Sequence, residues 1–374
     1  MGARVEMIPP KILWFEYSSL LIQMETALIL HRLLGSSERR KAAQYTEGGP
    51  ENLFIGQVAQ PEPKDGEVRI KVMFTAINRA DTLQRRGGYN PPPGASDILG
   101  LEAAGVIEKI GPGCPTNVTT GQRVMALLSG GGNAEYVTCP WQLAMEVPGH
   151  FSMSQAAAVP EVWLTAYMLL YTLGQLKKED TVLIHAGGSG VGTAAVQLVH
   201  QCGATAIVTA GSQEKIDLAK SLGASAGINY KQEAVGDRVL EITNGKGADM
   251  ILDCVGASMQ EENTKALALE GRWIVYGLMG GASTNVNLGV LLRKRANLMF
   301  STLRARSLEY KAVLVKNFSE LALPLFDNGT FKPIVQAILP LADIGKAHAM
   351  MEANQTQGKL VLQVHGDEAA KEEL

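Results

Sequence analysis

The residues best placed to do chemistry begin at Thr181. There the run TVLIHAGGSGVGTAAVQ carries an apolar strand pattern into Ala186-Gly187-Gly188-Ser189-Gly190-Val191-Gly192 and on into a helix pattern. A glycine-rich turn between strand and helix lets backbone N–H groups approach a pyrophosphate, and the positive end of the helix dipole faces the same point. Counted back from Gly192, a G-x-G-x-x-G frame falls on Gly187, Ser189 and Gly192, so a serine holds the middle position. Its side chain limits backbone approach a little, while its hydroxyl is a further donor for a phosphate or nicotinamide group. An ordinary tight turn could use the same letters. The strand before, the helix after and the strand units beyond point to a dinucleotide.

An NAD site places Asp or Glu about 20 residues further on, against the ribose 2′-hydroxyl. Here Thr209-Ala210-Gly211-Ser212 stands at that point with no carboxylate. A 2′-phosphate meets no repulsion there; Ser212 can donate to it, and Lys215, one helical step later, can neutralise it. Lys215 alone would read as a solvated helix lysine, so the missing acid carries the preference for NADPH over NADH. Past a fifth strand pattern, Tyr276-Gly277-Leu278-Met279-Gly280-Gly281 reads either as a second wall of the crevice or as a flexible turn.

The elements that must position these groups follow from patterning. At 374 residues the chain has room for two cores. With 46% hydrophobic residues, 19% charged and 40 glycines, it is globular and rich in tight turns. Residues 67–76 alternate with the period of a half-buried strand, and the short apolar runs 103–110 and 123–128 are set off by glycine turns, which predicts a small barrel-like β unit. Residues 154–173 read as one long apolar helix. Beyond Glu179, strand runs at 181–185, 206–210, 226–229, 250–254, 273–276 and 298–302 alternate with helix runs such as 191–201 and 213–222, the signature of a six-stranded parallel Rossmann sheet. A helix to about Phe326 and strands at 334–338 and 359–364 complete the chain and rejoin the first unit.

The totals exclude several classes. A net charge of −3 offers no broad positive field for a phosphate backbone, so nucleic acid is not the expected main ligand. Cys114, Cys139, Cys202 and Cys254 show no Cys-x-x-Cys pair, which fits a reducing, cytoplasmic setting. Residues 12–34 are apolar but interrupted by Glu16, Glu25 and His31-Arg32, a poor match to a membrane span, and their acids argue against a mitochondrial transit peptide. They read as an appendage or an amphipathic helix.

Taken together, these segments resemble the medium-chain dehydrogenase/reductase superfamily and, within it, the zeta-crystallin-like quinone oxidoreductases. The likeness covers residues 39–364 and rests on GGPENL at 48–53, NRAD at 78–81, Gln84-Arg85, YNPPPGASDILGL at 89–101, WLTA at 163–166, residues 186–196 and 209–213, and GRWIVYGLMGG at 271–281. It implies a Rossmann sheet inserted into a GroES-like β-rich catalytic domain. The expected divisions are an extension at 1–38, catalytic domain at 39–157 and 305–365, NADPH-binding domain at 158–304 and a charged tail at 366–374. It also implies a homodimer joined near residues 294–299.

Alcohol dehydrogenases of the superfamily hold a catalytic zinc through Cys and His ligands that include a Gly-His-Glu motif. Here Gly100-Leu101-Glu102 stands at that motif, Asn78 at the first-ligand position and Glu161 near the third, and the four-cysteine structural lobe is missing. The resemblance therefore implies a zinc-free enzyme with Asn78, Tyr89 and Ser189 near nicotinamide and substrate. Tyr89 could instead be a rim aromatic packed on Pro91-Pro92-Pro93. Thr165, Gly188, Gly190, Val191, Tyr230, Leu303, Arg304 and Lys359 match positions around the cofactor. The expected activity is NADPH-dependent quinone reduction. The alternatives are an enone reductase, an NADPH-binding or RNA-binding protein with little turnover, and a redox sensor acting through Cys254.

Overall fold

The computed structural model describes residues 38–365; the expectations for residues 1–37 and 366–374 fall outside them. The chain opens with β1 (Arg39–Tyr45) and β2 (Leu53–Ala59), an antiparallel pair with Arg39 opposite Ala59. A seven-stranded sheet then gathers β3 (Glu67–Ala76), β4 (Glu102–Ile110), β5 (Arg123–Leu127), β6 (Tyr136–Pro140) and β7 (Ala144–Glu146). The long β3 is its spine, pairing antiparallel with β4, with β6 and with a strand from the far end of the chain.

The second sheet contains β8 (Thr181–Ile184), β9 (Thr205–Ala210), β10 (Ala226–Asn229), β11 (Ala248–Asp253), β12 (Leu267–Val275) and β13 (Asn297–Phe300). Its spatial order is β10-β9-β8-β11-β12-β13 and every pair is parallel, which is the doubly wound order 3-2-1-4-5-6. The order reverses between β8 and β11, opening a crevice outside their carboxyl ends. Finally β14 (Val335–Pro340) and β15 (Lys359–Gln363) return to the first sheet, where Val361 of β15 pairs with Ala76 of β3. Both ends of the chain thus build the sheet that faces the crevice.

The apolar run 154–173 forms three pieces instead of one helix: Met153–Ala157, Pro160–Tyr167 and a π-helical turn at Met168–Leu173. Pro160 has no N–H, and its ring would meet the carbonyl of Ala156, so it can only start the second helix. That helix carries Trp163 into the core that links the two sheets. Val182 and Ile184 of β8 face this core together with Phe74 of β3, whereas Leu183 points to the opposite face with Ile207, Ile251 and Trp273. Trp163 lies 4.8 Å, centroid to centroid, from Phe326 of the helix Leu308–Asp327 and 4.9 Å from Phe331. Trp163→Ala should therefore cost about 3–5 kcal/mol, read as a lowered midpoint of urea unfolding.

Candidate active site

A cleft of about 940 Å³ occupies the switch point. Its floor is the glycine loop after β8. Ala186 takes a left-handed backbone at φ 52°, and the helix Gly190–Cys202 follows. A Cβ at Gly192 would run into the Ala186 carbonyl oxygen, and one at Gly187 into the Val208 side chain. Those two glycines shape the loop from beneath and do not line the cleft; Gly188, Ser189, Gly190 and Val191 do. Ser189 is the helix N-cap, its Oγ accepting from the Gly192 N–H at 3.0 Å, which leaves the hydroxyl hydrogen to donate elsewhere.

The loop is anchored by a buried network that no sequence motif signals. His185 Nε2 meets Asn263 Oδ1 at 2.7 Å, and Nδ1 meets Thr209 Oγ1 at 2.9 Å. Asn263 Nδ2 donates to Asp253 Oδ2 at 3.0 Å, so its oxygen must accept from His185, fixing the neutral Nε2–H tautomer. Burial lowers the His185 pKa in the same sense. Asp253 also accepts from Trp273 Nε1 and from the N–H groups of Val255 and Gly256. The network ties the ends of β8, β9 and β11 to one another.

Along the cleft, Gly211, Ser212, Lys215 and Tyr230 form one end, joined by Lys231, which the sequence pattern did not single out. Burial and the charge of Lys231 lower the Lys215 pKa; Lys215 Nζ donates to the Asn354 carbonyl at 2.7 Å. Residues 353–358 form a wall with no recognisable motif, tied to the glycine loop by Gly358 N–H to Gly188 O at 2.8 Å. Met279 and Gly280 line the cleft, but Gly277 packs against Cys254 and Leu278 faces solvent. Cys254 also borders it; burial pushes its thiol up to about 12, which leaves no thiolate for a redox sensor.

The opposite end holds Asn78 and Lys359. Lys359 Nζ donates to Ile77 O at 2.8 Å and Asn78 Oδ1 at 2.7 Å, and pairs with Glu102 Oε1 at 2.7 Å. Asn78 Nδ2 donates to the same Glu102 oxygen at 2.8 Å, while the other Glu102 oxygen accepts from the Glu161 N–H at 2.8 Å. An ammonium group thus sits among the positions where the resemblance places zinc ligands. Among the described residues, no group of three or more His, Cys, Asp or Glu is arranged to hold a metal ion. Burial, with the neighbouring Glu102 carboxylate, pushes Glu161 up to about 8, so it carries a proton at neutral pH.

Tyr89, Thr165, Leu303 and Arg304 are not brought to the cleft wall. Tyr89 lies beyond it, its ring 5.5 Å from the Arg304 guanidinium, and its pKa is raised by burial and by Glu161. Val162, not Thr165, faces the cleft from their shared helix, and Leu303 is core. Arg304 turns away because its Nε and Nη2 are held by Ser129 O and Gln84 Oε1 at 2.9 and 2.7 Å.

Residues 64–149 match the family model "Alcohol dehydrogenase GroES-like domain" and residues 190–320 the model "Zinc-binding dehydrogenase". The chain is 33% identical over 321 residues to quinone oxidoreductase 1 of Escherichia coli (strain K12), covering 85% of this chain and 97% of that protein. It is 31% identical to a 2-haloacrylate reductase of a Burkholderia species, covering 86% and 98%. The Escherichia coli quinone oxidoreductase solved in complex with NADPH superposes with a TM-score of 0.78 at 31% identity, covering 87% of this chain and all of that one. The chain belongs to the medium-chain dehydrogenase/reductase superfamily and, within it, to the quinone oxidoreductase family.

The raised Glu161 pKa has a sign that can be measured. Because the folded value lies above the unfolded one near 4.5, stability is full below that and falls as pH rises through about 8. Wild type should lose up to about 3 kcal/mol between pH 6 and pH 9 relative to Glu161→Gln, in parallel urea titrations at both pH values.

Proposed function

We propose that this protein is an NADPH-dependent, zinc-independent quinone oxidoreductase. The observation that carries the reading is a single continuous cleft that joins a lysine-flanked glycine loop to Asn78 and Lys359. The quinone oxidoreductase relative and the NADPH-bound structure support it. The residues fit the cofactor. Gly188, Ser189 and Gly190 present backbone at a helix amino terminus, where a pyrophosphate would lie. Ser212, Lys215 and Lys231 would hold the 2′-phosphate, and no carboxylate stands at 209–212 to repel it.

Bound NADPH supplies a hydride; the remaining tasks fall to this chain. A quinone spreads the incoming charge over its conjugated ring, so no Lewis acid is required to accept it. Asn78 commits one amide hydrogen to Glu102, and its other has only a long 3.4 Å contact with Ala76 O, so it can be offered to a substrate oxygen. Glu161 holds a proton below about pH 8 and directly precedes Val162 on the cleft wall, which makes it the candidate source of the proton that completes the reduced oxygen. We assign residues 39–157 and 305–365 to the catalytic domain and 158–304 to the cofactor domain, in a cytoplasmic setting that suits four unpaired cysteines. The 2-haloacrylate reductase relative favours a second reading, reduction of an activated carbon–carbon double bond.

Steady-state oxidation of NADPH and NADH with an ortho-quinone and a simple enone tests these readings. Quinone turnover preferring NADPH is expected, with product analysis showing the hydroquinone. Lys215→Ala and Lys231→Ala should each raise the NADPH Kd about tenfold or more while leaving NADH binding nearly unchanged. Tight NADPH binding without turnover would instead identify a binding protein.

We also infer a homodimer. β13 is the outer strand of its sheet, with Leu298 and Phe300 exposed and the exposed Leu288 and Leu292 nearby, so a second copy can pair along that edge. Phe300→Lys should convert the dimer to a monomer in sedimentation equilibrium, whereas a wild-type monomer would sink the inference.

A further inference from the structure

Away from the cleft, a depression of about 770 Å³ is bordered by Arg40, Arg304, Arg306 and Lys311. Arg40, Arg304 and Lys311 are each at least 95% buried, and among the described residues none has a carboxylate within ion-pair distance. Arg40 Nε and Nη1 and Arg304 Nη1 are buried with no hydrogen-bond partner. Lys311 Nζ meets only neutral oxygens, Ser129 Oγ at 2.9 Å and Arg304 O at 2.6 Å. The acids on the rim are already engaged: Glu62 pairs with Arg69 and Lys109, and Glu67 accepts from the Lys64 N–H.

Buried cations are ordinarily paired, because desolvation without a counter-charge is costly. Burial indeed lowers Arg40 to about 10, with Glu135 only partly offsetting it. Guanidinium groups with free N–H donors, beside an ammonium, match the charge and fork geometry of an oxyanion. We propose that this depression is an oxyanion-binding site, taking phosphate, sulfonate or carboxylate groups through Arg40, Arg304 and Lys311, separate from the dinucleotide cleft. Tyr89 stacks on Arg304 and leads directly into the Pro92–Ser96 rim of the depression, so the oxyanion can be free or can be an acidic substituent on the electron acceptor.

The test follows thermal unfolding against inorganic phosphate, with potassium chloride at matched ionic strength as control. A saturable rise in Tm is expected in the wild type, and it should persist when NADPH saturates the cleft. Arg40→Leu and Lys311→Met, made separately so that one folding failure leaves the other informative, should each raise the half-saturating phosphate concentration about tenfold or more. No rise beyond the chloride control, a rise abolished by NADPH, or unchanged phosphate dependence in both variants would overturn the proposal. Kinetics then identify the source. Phosphate competing with a sulfonated ortho-quinone but not with the uncharged parent supports an acceptor substituent; a Tm rise with no competition against either supports a free oxyanion. Turnover of the uncharged quinone reports on the enzymatic reading independently of this site.

Discussion

One buried carboxylate, Glu102, carries the architecture of the site. Its two oxygens receive Lys359 from the last strand, Asn78 from the N-cap of the helix Arg79–Arg85 that follows β3, and the backbone N–H of Glu161 at the start of the helix that enters the second domain. Three distant parts of the chain thus converge on a group with no solvent contact. Removing one member of such a buried set typically costs about 3–5 kcal/mol, because its partners are left desolvated and unpaired. The same arrangement holds Asn78 and Lys359 on the cleft wall and, through the Glu102 charge, helps to keep Glu161 protonated. The Glu102 carboxylate thus both fixes the cleft wall and helps to raise the Glu161 pKa.

Beneath the floor of the cleft, the His185–Asn263–Asp253 chain does for the glycine loop what Glu102 does for Asn78 and Lys359. It satisfies every polar group it contains and locks the loop to the sheet. The cleft is therefore preorganised by two independent buried networks, one on each sheet. The wall 353–358 closes the cleft from the catalytic sheet and is joined to the glycine loop by the Gly358 N–H bond to Gly188 O.

Much of the frame was legible because parallel strands buried on both faces read as short apolar runs between glycines, as at 250–254. What escaped has physical causes. The strands β1, β6 and β7 are short or irregularly patterned, and Pro160 splits a run whose hydrophobicity alone suggests one helix. Lys231 and residues 353–358 join the site only through tertiary approach, without a motif of their own. Arg304 was legible as a residue near the cofactor by likeness, yet its hydrogen bonds to Ser129 and Gln84 turn it toward Tyr89. The Glu102 network also escaped as a network, since its members lie up to 281 positions apart.

The central claim is direct hydride delivery to a quinone without a metal, and a single-turnover experiment addresses it most directly. NADPH-loaded protein is mixed with an ortho-quinone in a chelator, and nicotinamide absorbance is followed with NADPH and with NADPH deuterated at the transferred position. The account predicts rapid absorbance loss that is insensitive to the chelator and slowed by deuterium. Loss that appears only after zinc is added, or no loss at all, would contradict it.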